Sequence, residues 1–304
     1  MRAFTTLYAA QKSNMSKLIV LVGPPGSGKS TAAARLIEDL DAVRINQDEQ
    51  GKEGHLKLFM QALDDKRNIV VDRMNFSKKQ RLVYTTPAIA HDYNIEMQVF
   101  HAPYDVCMER CKNRVGHPTI TDTETAKKAI SFFFRNYERV EDSEANNVER
   151  LGWEDASLKA VVVDIDGTMA NVNHRLHYVR GSNKNWKEFF GRMRFDDVNE
   201  WCRKIVNSLA GQHPIVFATG RPSDYKEETI EWLKKYELFS YPITHLFMRH
   251  KGDHRKDDIA KEIILEFEIL PRYGILVVID DRQQVVDMWR RHGHVVLQCD
   301  KGDF

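Results

Sequence analysis

Residues that could handle phosphate groups occur in two clusters, one in each half of the chain. The first cluster reads Gly23-Pro24-Pro25-Gly26-Ser27-Gly28-Lys29-Ser30-Thr31. It lies between an apolar run at 18–22 and an amphipathic segment that begins at 32. Strand, glycine-rich turn and helix form the context in which the G-x-x-x-x-G-K-S/T pattern binds nucleotide phosphates through backbone N–H groups. We therefore expect the first half to bind a nucleoside triphosphate.

The side chains of this loop and two nearby aspartates suggest phosphoryl transfer. Lys29 would reach the terminal phosphates of ATP, and Ser30 would hold Mg²⁺. Asp48 and Asp72 are each predicted to end a short strand, and ligands of open α/β sheets collect at the carboxyl ends of strands. Asp48 is a candidate general base toward an attacking hydroxyl, although a capping or turn role fits its position equally well.

Two arginines lie one helical turn apart before a glycine-containing loop. Arg110 and Arg114 share one face of the helix predicted over 104–114. They could form a lid whose guanidinium groups close over the donor phosphates, or they could be a solvated basic face. The spacing leaves both possibilities open.

The second cluster begins with D-I-D-G-T at 164–168, directly after an apolar strand predicted over 159–163. Asp164 and Asp166 should leave this strand on the same side. Asp164 could attack phosphorus and form an aspartyl-phosphate, while Asp166 could exchange protons with the leaving oxygen and with water. Carboxylates need a divalent cation beside an anionic phosphate, and oxygen ligands favour Mg²⁺. The alternative, a calcium loop, is disfavoured because EF-hand spacing is absent.

Three later predicted strand or helix ends supply partners for this acidic pair. They are Thr219-Gly220-Arg221, then Asp257-Asp258-Ile259-Ala260-Lys261, then Asp280-Asp281-Arg282. A hydroxyl, a lysine and a second acidic pair are what a phosphate-plus-metal site requires. Asp257 and Lys261 alone could also be an ordinary i,i+4 ion pair on a helix.

Length and composition limit the possible classes of protein. The chain has 304 residues and a formal charge of +1, so two domains are expected, and a broad duplex-binding surface is not. A nucleic-acid partner would be contacted locally, as at a strand end. The four cysteines have neither zinc nor C-x-x-C spacing, which favours a reducing, cytoplasmic compartment. No apolar run approaches membrane-spanning length.

The two clusters must be positioned by the strands and helices predicted around them. These predicted elements indicate an α/β protein of two domains, each with a mostly parallel sheet flanked by helices. We divide the chain into an extension over 1–16, a first domain over 17–145, a polar linker over 146–157 and a second domain over 158–304. The segment 174–194 is interpreted as a small cap insertion. Its aromatic residues, Trp186, Phe189 and Phe190, could stack on bases or pack the cap helix.

The second-half motifs D-I-D-G-T, T-G-R, K-D-D-I-A-K and I-D-D-R resemble the four motifs of haloacid-dehalogenase-like (HAD-like) phosphatases. With the phosphate loop, the chain from about Lys17 onward resembles the bifunctional bacteriophage polynucleotide kinase/3′-phosphatases. This resemblance implies a P-loop kinase fold followed by a HAD-like Rossmannoid phosphatase fold. It implies ATP-dependent phosphorylation of 5′-hydroxyl ends and Mg²⁺-dependent removal of 3′-phosphates from DNA or RNA, before handoff to a ligase. A homo-oligomer in the cytoplasm of a phage-infected host is also implied.

The resemblance further implies roles for individual residues. Lys29 and Ser30 would contact the donor, Asp48 would act as the general base, Asp72 would lie at the acceptor, and Arg114 would contact the phosphoryl group in transfer. Asp164 would be the phosphatase nucleophile and Asp166 its general acid–base. Asp164, Asp166, Asp280 and Asp281 would surround Mg²⁺. The remaining residues expected around the substrate phosphate are Arg175, Thr219, Arg221, Arg249, Asp257 and Lys261.

One position departs from the family pattern. An arginine that would contact a 3′-phosphate on the acceptor is replaced here by Gly51, and Lys52 or Arg73 could take its place. Two other functions stay open on sequence alone. One is a small-molecule kinase fused to a metabolite phosphatase, and the other is a nucleotide-regulated nucleic-acid-binding module with a degenerate phosphatase scaffold.

Overall fold

The computed structural model of the chain describes residues 15–113, 122–153 and 157–302. Two compact units divide between Gly152 and Trp153. Each is an α/β unit with a parallel sheet and flanking helices, which confirms the predicted fold class. Within the described ranges, no helix combines the length and the apolarity that crossing a bilayer would require.

The first unit is built around a sheet whose central strand is apolar along its length. Its helices and strands are β1 (Lys17–Val22), α1 (Lys29–Leu40), β2 (Val43–Ile45), α2 (Gln47–Asp64), β3 (Ile69–Asp72), α3 (Lys78–Ala90), β4 (Asn94–Phe100), α4 (Tyr104–Lys112), α5 (Thr123–Asn136) and β5 (Asn147–Leu151). The strands lie parallel in the order β2-β3-β1-β4-β5. Residues 18–22 of β1 are buried, as expected for a central parallel strand covered on both faces.

Parallel strands deliver their carboxyl ends to one edge of the sheet, and this edge collects the candidate kinase residues. The phosphate loop follows β1, the Asp48 segment follows β2, and Asp72 ends β3. Glycine is required inside the loop: Gly26 has φ +80°, and an added Cβ would lie 2.6 Å from the carbonyl oxygen of Cys107 in α4. The loop therefore packs against α4 at a distance that only glycine allows.

Two expectations about local structure are wrong. The predicted linker over 146–157 contains β5, which pairs with β4 and completes the described part of the first sheet. Its residues are exposed or half-buried, so a polar edge strand carries no apolar run that the sequence could reveal. Asp48 was expected at the end of a strand, but β2 ends at Ile45 and Asp48 lies in the first turn of α2.

The second unit repeats the parallel architecture with a different strand order. Its helices and strands are β6 (Lys159–Val163), β7 (Ala170–Asn171), α6 (Trp186–Gly191), β8 (Asp197–Val198), α7 (Glu200–Leu209), β9 (Ile215–Pro222), α8 (Lys226–Lys235), β10 (Thr244–Arg249), α9 (Asp257–Ile264), β11 (Gly274–Asp280), α10 (Gln283–Arg291) and β12 (Val296–Gln298). The main sheet has the order β10-β9-β6-β11-β12, with all pairs parallel. The central β6 contributes Val161 and Val163 to one core and Ala160 and Val162 to another, as strand alternation requires.

The predicted cap insertion follows β6 and lies between β7 and β8, which pair in antiparallel fashion. It consists of a 3-10 helix (Asn173–Tyr178), then α6, then a second 3-10 helix (Met193–Phe195). The side chain of Asn185 accepts a hydrogen bond from the N–H of Glu188 at 3.1 Å and so fixes the start of α6. The insertion therefore leaves and returns at the carboxyl end of the central strand, where the acidic pair lies.

Candidate active sites

The phosphate loop wraps around the ammonium group of Lys29. Lys29 Nζ donates to the carbonyl oxygen of Pro24 at 2.7 Å and to Ser27 Oγ at 3.3 Å. Gly28, with φ +102°, is the N-cap of α1, and within the described ranges no side chain caps this helix. Its first backbone N–H groups can therefore bind phosphate oxygens instead. Ser30 and Thr31 lie in the first turn of α1, as the pattern predicts.

The two aspartates that were predicted to act on the acceptor have different surroundings. Asp72 is buried, and its Oδ2 accepts from Arg44 Nη2 at 2.5 Å and from Asn46 Nδ2 at 3.4 Å. Asp48 is exposed, and its N–H donates to the side-chain oxygen of Asn46 at 2.8 Å. Asn46 is thus the N-cap of α2, which disfavours the capping interpretation of Asp48. Asp48 itself lies in the first turn of α2, which follows β2 at the same sheet edge as the loop.

Gly51 interrupts α2 with φ +74° and ψ 172°, a region of backbone space that is essentially restricted to glycine. An added Cβ would meet nothing within 4 Å, so strain rather than crowding excludes other residues. An arginine at this position would distort the first turn of α2, which carries Asp48. In this chain, the backbone at position 51 therefore favours glycine over arginine.

Two other arginines were predicted near the nucleotide, and one more near the acceptor. Arg110 Nη1 lies 3.4 Å from the carbonyl oxygen of Gly26, so α4 places this side chain beside the phosphate loop. Arg114 lies outside the described residues. Arg73 directly follows Asp72, and its Nη1 donates to the hydroxyl of Tyr84 at 2.7 Å. That bond fixes the guanidinium of the half-buried Arg73.

In the second unit, three buried acids from neighbouring strands converge. Asp164 follows β6, and Asp280 and Asp281 lie at the end of β11, which pairs with β6. Each acid offers one oxygen within 4.8 Å of the others. Burial, together with the neighbouring charge of Asp280, raises the pKa of Asp281 to about 6. Three buried carboxylates this close together are suited to a hard divalent cation.

Lys261 provides the positive charge at the centre of this acidic group. It lies on α9, is buried, and donates from Nζ to Asp164 Oδ1 at 2.6 Å and to Asp280 Oδ2 at 2.9 Å. Burial would lower the pKa of Lys261, but Asp164 and Asp280 raise it above its ordinary value. Burial raises the pKa of Asp164, and Lys261 opposes that rise. Lys261 therefore stays protonated and keeps one oxygen of Asp164 fixed.

Asp166 has a different environment from Asp164. Its carboxylate accepts from Arg175 Nη2 at 2.6 Å and from Arg221 Nη2 at 2.5 Å. Burial alone would raise the pKa of Asp166, but Arg221 and Arg175 hold it well below its usual range. Asp166 is therefore ionised here, and its carboxylate lies outside the group formed by Asp164, Asp280 and Asp281.

Asp196 completes this charge cluster, and no sequence motif indicated it. Its side chain is fully buried and accepts from Arg175 Nε at 2.7 Å, from Arg175 Nη2 at 2.6 Å and from Arg221 Nη2 at 3.2 Å. His174 Nε2 lies 2.8 Å from Asp196 Oδ1. Two arginines are thus shared between two carboxylates, which fixes both guanidinium groups beside Asp166.

The remaining predicted residues support the same site. Arg249 donates from Nη2 to Asp257 Oδ1 at 2.9 Å and from Nε to the carbonyl oxygen of Gly220 at 2.8 Å. An added Cβ on Gly220 would lie 2.0 Å from Asp257 Oδ1, which explains glycine between Thr219 and Arg221. Thr219 is buried and accepts from the N–H of Arg221 at 3.2 Å.

A cavity of about 680 Å³ joins these groups to the cap. Its lining includes Asp164, Asp166, Lys261 and Asp281 from the sheet edge, Arg249, Arg255 and Asp257 from the β10–α9 region, and Trp186, Phe190 and Tyr225 from the cap side. The second cluster thus forms one pocket rather than scattered ion pairs.

Comparison with known proteins agrees with this arrangement. Residues 158–304 match the family described as "Polynucleotide kinase PNKP phosphatase domain", and residues 18–136 match a family described as "AAA domain". The second unit is thus similar to the phosphatase domain of polynucleotide kinases, and the first unit is similar to an AAA domain. The matches do not support a bacteriophage origin.

The individual proteins that this chain resembles are distant. A putative bifunctional polynucleotide kinase/RNA ligase of Autographa californica nuclear polyhedrosis virus is 27% identical over 304 residues, which cover 90% of this chain and 41% of that protein. A bifunctional polynucleotide phosphatase/kinase of Schizosaccharomyces pombe is 33% identical over 95 residues, which cover 31% of this chain and 23% of the relative. The chain thus spans less than half the length of either relative.

Among solved structures, a chain of a Pnkp1/Rnl/Hen1 complex is 27% identical to this protein. The alignment covers 95% of this chain and 98% of that one, with a TM-score of 0.42.

Proposed function

We propose that this protein heals broken nucleic-acid ends. Its first unit would transfer the γ-phosphoryl group of ATP to a 5′-hydroxyl, and its second would remove a 3′-phosphate, leaving ends that a ligase can join. The observation that carries the proposal is the pocket in which Asp164, Lys261 and Asp281 meet, within a domain of the polynucleotide kinase phosphatase family. A complete pocket disfavours a degenerate scaffold.

The phosphatase reaction follows from the two aspartates. An oxygen of Asp164 attacks phosphorus, the bond between phosphorus and the 3′-oxygen breaks, and Asp166 gives a proton to the leaving oxygen. Water then attacks the aspartyl-phosphate and gives a proton to Asp166, and the bond between phosphorus and Asp164 breaks to release inorganic phosphate. Lys261 holds Asp164 in position and offsets its charge throughout.

The proton-donating step requires a change around Asp166. With both arginines bound, its pKa is too low for it to carry a proton near neutral pH. A phosphate dianion entering the pocket attracts the guanidinium groups of Arg175 and Arg221, because Arg binds phosphate strongly through paired hydrogen bonds. This attraction weakens the bonds to Asp166 while Asp196 keeps both arginines in place, so the pKa of Asp166 rises from its depressed value. Substrate binding would thereby make protonation of Asp166 easier.

The buried acids also fit the predicted Mg²⁺. Asp164, Asp280 and Asp281 would hold the ion, which supplies positive charge that lets a carboxylate approach an anionic phosphate. In the kinase unit, Ser30 would hold the Mg²⁺ that accompanies ATP.

In the kinase reaction, Lys29 and the N-terminus of α1 would bind the donor phosphates, with Arg110 beside them. Asp48 would accept the proton of the 5′-hydroxyl as that oxygen attacks the γ-phosphorus, and the bond to ADP breaks. Asp72, fixed by Arg44, would orient the acceptor.

We also propose that Arg73 contacts an acceptor phosphate in place of the arginine that Gly51 excludes. Its guanidinium is already positioned by Tyr84. Lys52, the other candidate, is exposed and lies directly after the kink. Arg114 stays a proposed contact of the phosphoryl group in transfer.

End-labelling tests both activities in one protein. Labelled ATP with a 5′-hydroxyl oligonucleotide should give a labelled strand, and a 3′-phosphorylated oligonucleotide should release inorganic phosphate. Lys29→Ala should abolish labelling alone, and Asp164→Asn should abolish phosphate release alone. Loss of both activities in either variant would contradict two separate sites. Labelling of a free nucleoside with an untouched oligonucleotide would instead support the small-molecule kinase.

A matched set of DNA and RNA oligonucleotides, each with and without a 3′-phosphate, would then identify the preferred end. Arg73→Ala should remove any preference for an acceptor that bears a 3′-phosphate.

A further inference from the structure

The cavity of the second unit is larger than a phosphate group requires. Its volume of about 680 Å³ lies within the range of about 300–1,000 Å³ that holds drug-sized ligands. The catalytic carboxylates line one part of it, and aromatic side chains of the cap region line another. The space beside the phosphate site can therefore receive the nucleoside that carries the phosphate.

The three aromatic residues of the cap helix do not share one role. Phe189 is 1% exposed and lies beneath Arg175, whose guanidinium carbon is 4.0 Å from the ring centre. It is a packing residue that supports the arginine. Trp186 is 41% exposed although it lines the cavity, and Phe190 is half-buried.

Trp186 and Phe190 form an ordered surface. They lie four residues apart on α6, so they share a helical face, and their rings are 5.8 Å apart with an interplanar angle of 22°. Tyr225 continues the surface, with its ring 5.3 Å from Phe190. Phe190 is thus held between two aromatic neighbours, while Trp186 ends the row with its indole partly in solvent.

From this geometry we infer that Trp186, Phe190 and Tyr225 form a stacking wall for the terminal nucleobase of the 3′-phosphorylated strand. The inference rests on the proposed phosphatase function and adds a base-binding subsite to it. Aromatic rings bind bases of any sequence because every base has a π-face. The wall would favour 3′-phosphates that carry a base over those of an abasic end.

Substrate discrimination tests the wall. The wild-type kcat/KM should be about tenfold higher for a 3′-phosphorylated oligonucleotide with a terminal base than for the same strand with an abasic terminal sugar. Trp186→Ala should lose most of that ratio while keeping its activity on the abasic strand. Trp186→Phe, which retains a ring, should restore part of it.

Trp201→Ala is the matched control, because Trp201 is 43% exposed on α7 and does not line the cavity. Trp201→Ala should leave kcat/KM for both substrates unchanged. Equal wild-type activity on the base-bearing and abasic strands would contradict the stacking wall but not the proposed phosphatase activity. This comparison uses only the wild-type protein, so it does not depend on whether a variant folds. Equal loss on both strands in Trp186→Ala would make the residue structural. Failure of the wild type to dephosphorylate either strand would instead reject the proposed function.

Discussion

Replacing Asp196 by asparagine should damage the phosphatase unit more than any other single isosteric change outside the predicted catalytic residues. The side chains of Asp196, Arg175 and Arg221 are all fully buried. Asparagine has nearly the same shape, but it removes one negative charge and turns an amide N–H₂ toward a guanidinium group. Two buried arginines would then share only the carboxylate of Asp166.

The size of the effect follows from that burial. Removing one partner of a buried ion pair typically costs about 3–5 kcal/mol, because the other charge stays uncompensated. For a domain of about 150 residues, each kcal/mol lowers the unfolding midpoint by about 2–4 °C. We therefore expect Asp196→Asn to lower the midpoint of the phosphatase unit by at least about 6 °C. Phosphatase kcat should fall at least tenfold because Arg175 and Arg221 lose their fixed orientation.

Differential scanning calorimetry of the full chain, with phosphate-release and end-labelling assays at 20 °C, would measure these effects. The control is Asp197→Asn, since the neighbouring Asp197 is exposed. It should change neither the midpoint nor the activities, and 5′-labelling should survive in both variants. A midpoint within 1 °C of wild type together with full phosphatase activity would refute the role assigned to the charge cluster.

Three further predictions concern other parts of the chain. Gly51→Ala should lower the free energy of unfolding of the kinase unit by about 1–3 kcal/mol in urea titrations. Gly54→Ala is the control and should be neutral or stabilising, because an added Cβ there would contact only Gln50 Cβ, at 3.8 Å. Burial alone would raise the pKa of Glu144, but the hydrogen bonds from buried Arg81 lower it overall. The Arg81–Glu144 pair therefore stabilises the fold above about pH 4.3, and this stabilisation is lost as the pH falls through the lowered pKa. Glu144→Gln should lower the thermal midpoint at pH 7 and lower it much less in strong acid. Chelation of Mg²⁺ should abolish phosphate release. Added Mg²⁺ should raise the unfolding midpoint of the wild type but not that of Asp281→Asn. Persistence of that Mg²⁺-induced rise would remove Asp281 from the metal site.

Much of the architecture could be predicted because its signals are local. The apolar runs of β1 and β6 mark central parallel strands, and the motifs that follow them lie at the carboxyl ends of those strands. Adjacent parallel strands then bring Asp164 and Asp281 together without any further information. By contrast, β5 escaped detection because an edge strand with polar residues has no apolar periodicity.

Other features depend on contacts between residues far apart in sequence. Asp196 binds Arg175 and Arg221 across 21 and 25 positions, a separation that leaves no spacing pattern to recognise. The kink at Gly51 and the different burial of Phe189 and Trp186 likewise depend on how each helix packs.

The sequence by itself therefore determined the two folds and the chemical groups at their sheet edges, because the turn and strand motifs are fixed by nearby residues. Only the tertiary structure decided that Asp166 is held ionised by two arginines and that Trp186 stays partly exposed while Phe189 is buried. The physical reason is that pKa values and exposure are set by the charges and surfaces that packing brings within a few ångströms.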